Sequence, residues 1–394
     1  MNKAILSPDV QAFIYANRDK DVAAIALAKS PFDNVQSREL AAQVDGLQRI
    51  KKKVAEWHNV PGLYFPDKLN LEQASSMATG GFKASLIKHG SRLIDLTGGF
   101  GVDSFYFAQR ALEVTHCEIN EHLSAIVAHN FDVLRLFNIT CFSGDGVQKI
   151  RQSSQTYDYI YIDPSRRVNQ KKVFRLEDCV PDIIALQDLF FERATCIITK
   201  LAPLLDIHLA LKQLEHVRDV YVVSVDNDCK ELLFIQQKAY DGETTIHAVR
   251  LQPDGPQDLS FTNTEEKEHE VPLSPPRTFL YDPDVAINKA GAFKTVGIRY
   301  GLHKLGLHTH LYTSDELVPS FPGKCFKIVA VHPLRALKKE MLLKKANVVS
   351  KNFPLRVDDL RKKFGIRDGG DDFLYFCTLH DGEHVAIHGI RQIS

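Results

Sequence analysis

From about residue 91 the chain alternates short β-branched runs with amphipathic stretches, and this alternation limits the fold more than any other feature. Strands are expected at 92–96, 113–119, 139–143, 157–162, 196–200, 219–225 and 232–237. Helical spacing fills the early gaps, as at Leu123, Ile126, Val127, Val133, Leu134 and Phe137. Such a pattern implies parallel βαβ units wound about one sheet, an α/β fold of the Rossmann-like type. The last two runs are separated by only a few polar residues (Asn227, Asp228, Lys230). That gap cannot hold a crossover, so these two strands should pair antiparallel.

The flanks read differently. Ser7-Pro8 is a helix-start signal, since proline at the first helical position loses no needed N–H. Leu40, Val44, Leu47, Val54 and Trp57 recur at helical spacing, with Lys51, Lys52 and Lys53 mostly off that face. The first 88 residues are therefore an N-terminal helical region. Residues 253–270 carry six acidic residues, one lysine and two prolines, and read as a linker or solvated hairpin loop. Pro272, Pro275 and Pro276 close it, and Pro319 to Gly323 marks a further boundary. The expected division is 1–88, 89–250, 272–320 and 321–394, the last two being small α+β units.

Composition narrows the setting. The longest apolar run, Val22 to Ala28, is far below the roughly 18 residues that span a bilayer. The seven cysteines are odd in number and form no C-x-x-C pair, which suits reduced thiols and a cytoplasmic protein better than disulfides or a zinc site. His303, His308 and His310 lack the acidic or cysteine partners of a metal centre, so no metal is expected. Net charge is zero, but residues 335–367 hold 11 Lys/Arg against 3 Asp/Glu. One basic segment on a neutral protein can steer a polyanion.

The chemistry centres on Leu93-Ile-Asp95-Leu-Thr97-Gly98-Gly99-Phe-Gly101-Val-Asp103. A strand runs into an acid, a glycine-rich turn and a helix, and ligands of open α/β sheets bind at such carboxyl ends. The glycines allow close backbone approach, and the next helix offers free N–H groups. A dinucleotide fingerprint would place its third glycine at Ser104. Asp95 would also repel a pyrophosphate, whereas it favours a ligand with an amino group and a sulfonium. Three more acids fall at successive strand ends: Glu118, Asp145 and Asp163. Glu118 lies where an acid can accept from both hydroxyls of a ribose. Any one strand-end acid is often a helix cap, but four at regular βα intervals on one sheet edge point to a shared ligand.

Taken in order, Asp95-x-Thr-Gly-Gly-x-Gly, Glu118, Asp145 and Asp163-Pro164 resemble the motifs of class I S-adenosylmethionine-dependent methyltransferases, over roughly residues 70–240. The resemblance implies a seven-stranded sheet whose last strand is antiparallel. It also implies S-adenosylmethionine as cofactor, held by the glycine turn with Glu118 on the ribose and Asp145 on the adenine. Asp163-Pro164-Ser165-Arg166-Arg167 is similar to the Asp/Asn-Pro-Pro-aromatic motif of enzymes that methylate exocyclic amines, with Ser165 and Arg166 at the two departures. Asp163, Pro164 and Ser165 are then the catalytic candidates, and Arg166, Arg167 and Lys200 face substrate. The segment before the sheet resembles a helix that closes over the donor in related RNA methyltransferases, with Thr79 and Lys83 as contacts for the donor carboxylate.

The tail has its own resemblance. Ser350-Lys-Asn352-Phe353-Pro354-Leu355, Leu360-Arg-Lys-Lys-Phe364 and Asp368-Gly-Gly-Asp-Asp372 are similar to the THUMP-like module of a bacterial group of class I methyltransferases. Residues 275–318 resemble the ferredoxin-like unit that precedes it there. True THUMP domains bind RNA, so the resemblance implies an RNA partner, tRNA or rRNA, met by cations such as Arg361, Lys362 and Lys363. The leading expectation is methylation of a nucleobase in structured RNA. The alternatives are methylation of a small molecule or protein, or a module that binds S-adenosylmethionine or RNA without catalysis.

Overall fold

The computed structural model describes residues 1–166, 176–337 and 343–392. Two compact units divide the chain: 1–218 with 232–242, and 219–231 with 243–394.

The first unit opens with helices. Helix α1 (Pro8–Ala16) begins on its proline as the sequence indicates. Helix α2 (Ser37–Lys53) buries Leu40, Val44, Leu47 and Ile50 on one stripe. Its Gln36/Glu39 box satisfies the first turn, and Lys51, Lys52 and Lys53 oppose the negative end of the helix dipole. The periodic stripe does not continue as one helix. Val54 adopts φ −137° and ψ 79°, and a single turn then carries Trp57 inward, edge-on to Phe100 and Phe105. Helix α3 (Met77–Ser85) leads into the sheet.

Strands β1 (Arg92–Asp95), β2 (Glu113–Glu118), β3 (Ile139–Ser143), β4 (Tyr157–Ile162) and β5 (Ala194–Leu201) run parallel. Helices α4 (Val102–Ala108), α5 (Glu121–Val133) and α6 (Gly146–Gln152) follow the first three. After the hairpin of β6 (Val217–Val225) and β7 (Asp228–Gln237), residues 232–237 pair antiparallel with β5. The short polar gap predicts that β6 and β7 pair, and they are neighbours in the sheet; the antiparallel β7 is the reversed strand that the resemblance implies. Leu93, Ile94, Ile160 and Ile197 are buried as expected of a sheet covered on both faces.

The sheet does not stop at seven strands. Strands β8 (Thr245–Gln252) and β9 (Gly255–Thr262) form an antiparallel hairpin, and the strand order is β9-β8-β6-β7-β5-β4-β1-β2-β3. The stretch expected to be a linker or a solvated hairpin loop is thus strand over Gly255–Thr262 and helix over Asn263–Glu268. An edge strand tolerates the proline and acids that made it resemble a loop, because its outer rim pairs with nothing.

The second unit also contains a seven-stranded sheet. Its strands are β10 (Phe279–Pro283), β11 (His303–Lys304), β12 (Tyr312–Ser314), β13 (Gly323–Pro333), β14 (Asn347–Lys351), β15 (Asp372–Thr378) and β16 (His384–Gln392), in the order β11-β12-β10-β13-β16-β15-β14. One face buries Leu280, Phe326, Tyr375 and Ile387. The other packs Leu360 of helix α8 (Val357–Phe364), which follows α7 (Val285–Ala290), against Leu374 and Phe376.

His247 on β8 gives this unit a measurable pH dependence. Its ring stacks on Tyr221 at 4.3 Å and lies between Asp258 at 2.8 Å and Asp219 at 3.4 Å. Burial alone would lower the imidazole pKa, but the bonds to Asp219 and Asp258 raise it to about 9. A raised pKa means the charged pair stabilises fully below about 6.5 and is lost as pH climbs through about 9. His247→Gln should therefore cost about 1–2 kcal/mol at pH 6, after solvent screening at the exposed Asp258. Urea unfolding at pH 6 and pH 10 checks this; a deficit that does not shrink at pH 10 refutes it.

Candidate active site

The carboxyl ends of β1, β2 and β4 bring Asp95, Glu118 and Asp163 to one edge of the first unit's sheet. Asp95 is 1% exposed. Its Oδ1 accepts the Thr97 N–H at 3.1 Å and its Oδ2 the Ser104 hydroxyl at 2.7 Å. Burial lifts the Asp95 pKa to about 7, helped by the charges of Asp103 and Asp163 and opposed by these two hydrogen bonds. Ser104 also lies 3.1 Å from Nδ1 of His116, whose buried Nε2 has no hydrogen-bond partner among the described residues. Burial drives the His116 pKa down to about 4, so the ring is neutral.

The glycines have separable reasons. A Cβ on Gly98 would lie 2.0 Å from the His116 ring, and one on Gly101 2.6 Å from Phe131 of α5. At Gly99 the requirement is conformational, φ +55°, and a Cβ there would meet nothing nearer than 3.9 Å. The turn is therefore pinned beneath and open above, a cradle shaped to admit a ligand. Glu118 braces its rim: Oε2 accepts the Gly99 N–H at 2.9 Å and Oε1 the Asn120 N–H at 2.8 Å. Asp145 caps α6 through Val147 and Gln148, and the bare Gly146 lets that cap approach Leu96, whose carbonyl oxygen would lie 2.6 Å from any Cβ.

Asp163 is joined to the turn through its backbone, since its N–H donates to Thr97 Oγ1 at 2.7 Å. Its carboxylate pairs with Lys200. Pro164 follows, half-buried, and Ser165 is exposed in a two-residue ladder with Val180. Arg166 pairs through its backbone with Cys179, and Arg167 lies outside the described residues.

Thr79 and Lys83 make internal contacts. The Thr79 hydroxyl accepts the Ser76 N–H at 3.2 Å as part of a capping box. Lys83 is fully buried, with Nζ 3.2 Å from Asp103 Oδ1 and 3.1 Å from Ser75 Oγ. Asp103 also accepts the Tyr161 hydroxyl at 2.8 Å. Burial would raise its pKa, but Lys83 and Lys200 hold it below the usual range. The sequence alone assigns no role to Asp103, Ser104 or His116. Ser104 stood in plain view as the residue replacing a third glycine; its hydroxyl is needed by Asp95.

In the second unit Arg361, Lys362 and Lys363 form the last turn of α8. Arg361 bonds Asp368, while Lys362 and Lys363 are exposed. His310 stacks on Phe293 and His303 contacts Arg277. Among the described residues no group of three or more His, Cys, Asp or Glu could hold a metal ion, and no helix is long and apolar enough to cross a membrane.

Comparison with known proteins shows what the chain is similar to. Residues 279–322 match the model of a ferredoxin-like domain, and residues 323–391 that of a THUMP-like domain. A crystal structure from Porphyromonas gingivalis W83, of a protein provisionally named a methyltransferase, is 29% identical and superposes with a TM-score of 0.90 over 99% of both chains. The chain has a class I methyltransferase fold carrying ferredoxin-like and THUMP-like domains. Two strains of Mycobacterium tuberculosis, CDC 1551 and H37Rv, each have an uncharacterised S-adenosylmethionine-dependent methyltransferase 22% identical over 253 residues, or 64% of this chain. The match spans 66% of the length of those relatives. In this methyltransferase fold the open cradle over Gly99, the buried Asp95 and the partly exposed Glu118 and Asp145 suit S-adenosylmethionine: carboxylates for its amino group and hydroxyls, and bare backbone where it must lie close.

Proposed function

We propose that the protein methylates a nucleobase nitrogen in structured RNA, with S-adenosylmethionine as methyl donor. The observation that carries the reading is the tie between Asp163 and Thr97, which sets an Asp-Pro acceptor group directly beside the glycine turn. S-adenosylmethionine supplies a methyl group on a sulfonium, and its C–S bond breaks as the bond to nitrogen forms. The protein's work is alignment and exclusion of water. The Asp163 carboxylate and the Pro164 carbonyl accept hydrogen bonds from the target amine and turn its lone pair toward the methyl; the nitrogen afterwards releases one proton to solvent. Arg166, Arg167, Lys362 and Lys363 are the cations assigned to phosphate, and a guanidinium can also stack on a base. The THUMP-like match over 323–391 supports RNA as the class of substrate.

The test uses labelled S-adenosylmethionine and total RNA from cells lacking the protein. Methyl transfer should occur, should be abolished by ribonuclease, and should restore one modified nucleoside detected by mass spectrometry. Turnover that resists ribonuclease moves the assignment to a small-molecule or protein substrate.

A further inference from the structure

Lys200 is not explained by donor binding, and its surroundings are unusual. Strands β4 and β5 are parallel neighbours with Ile162 opposite Thr199, so the next residue on each, Asp163 and Lys200, is brought side by side by the register itself. Lys200 lies within β5, and its backbone is flanked on the other side by Leu233 of β7. Asp163 has already left β4 and lies in coil. The cation is on the rigid partner and the carboxylate on the freer one. The Lys200 side chain is 17% exposed and that of Asp163 38%. One Asp163 oxygen faces the ammonium; the other makes no hydrogen bond among the described residues.

The charges around the pair explain why the ammonium is needed. Asp103 on α4 and Asp163 after β4 both oppose a charge on Asp95 of β1. Lys83 on α3 is spent on Asp103 and Ser75. Lys200 acts on Asp103 as well as on Asp163. Without it, Asp163 would have the Asp95 carboxylate behind it and open solvent before it, and a carboxylate so placed swings outward.

We propose that Lys200 is a positioning residue that clamps one oxygen of Asp163 and so holds the other toward the methyl acceptor. The assignment rests on the reading of Asp163 as the acceptor-side group. It differs from a substrate-binding role for Lys200, which would show in RNA affinity rather than in rate.

Lys200→Met tests it, with Lys200→Gln in its place if the Met variant does not fold. S-adenosylmethionine affinity by calorimetry should stay within about twofold. Single-turnover methylation of RNA from cells lacking the protein should fall about tenfold or more at saturating RNA, the lower end of what a positioned acid or base group contributes. KM for RNA should be unchanged, and Lys200→Arg should recover most of the rate. A wild-type rate, or a loss confined to KM, overturns the proposal. A crystal structure of Lys200→Met with S-adenosylmethionine gives a readout needing no acceptor: the Asp163 carboxylate should leave its wild-type rotamer. An unchanged rotamer overturns the proposal even if wild-type protein proves inactive on RNA, a result that would count against the RNA reading alone.

Discussion

Asp163→Ala is expected to lower single-turnover methylation on the order of 10²-fold or more at saturating donor, while S-adenosylmethionine affinity stays close to wild type. The structure separates these two effects. The contact between Asp163 and the donor turn is made by its backbone N–H to Thr97, which alanine keeps. What alanine removes is the carboxylate, whose partner is Lys200 rather than any atom of the glycine turn. The ammonium left behind still has Asp103 to answer it, so the variant should fold. Calorimetry with the donor and rapid-quench methylation check both halves. If donor binding collapses while the rate at saturating donor is normal, Asp163 is a structural tether and the acceptor geometry proposed above is wrong.

The parts of this fold that could be read from sequence are those where local pattern and tertiary role coincide. Asp95, Glu118, Asp145 and Asp163 each follow a β-branched run, and the parallel register alone brings such ends to one edge. The antiparallel β7 was legible because chain length forbids the alternative. Strand β9 was hidden by Pro253, Pro256 and Asp258, which lie in or beside an edge strand where proline and charge cost little; β8 carries no such residue and its β-branched and apolar pattern was there to be read. The buried charges were hidden for a different reason. Lys83 lies on a helix rich in small and polar residues and looks like a surface lysine; it is buried because Asp103, on another helix, neutralises it. An unpaired ammonium could not go there. His116 in the run Thr115-His116-Cys117 carries no local signal at all. Its place is visible only from the far side, as the ring that leaves no room for a side chain on Gly98.

Glu118 offers the second large effect, and it tests the donor side alone. Its carboxylate holds two backbone N–H groups, those of Gly99 and Asn120, one on each oxygen. Each carboxylate oxygen has a second lone pair, and the residue is partly exposed at the rim of the cradle. The same group can therefore brace the turn and accept the ribose hydroxyls in charge-assisted bonds. Glu118→Ala should weaken S-adenosylmethionine binding by about 2–3 kcal/mol, on the order of 30- to 150-fold. Glu118→Gln, which keeps one accepting oxygen but loses the charge and sets an NH2 donor against the Gly99 or Asn120 N–H, should fall between. Neither change should alter the methylation rate once donor is saturating, because Asp163, just beyond β4, and Lys200, on β5, share no hydrogen bond with Glu118 among the described residues. Calorimetry on folded variants measures the first effect and single-turnover kinetics the second. Unchanged donor affinity in Glu118→Ala would remove this residue from the ribose. It would also show that the two braced amides hold the turn without help, leaving Asp95 and the open face of Gly99 to account for donor binding.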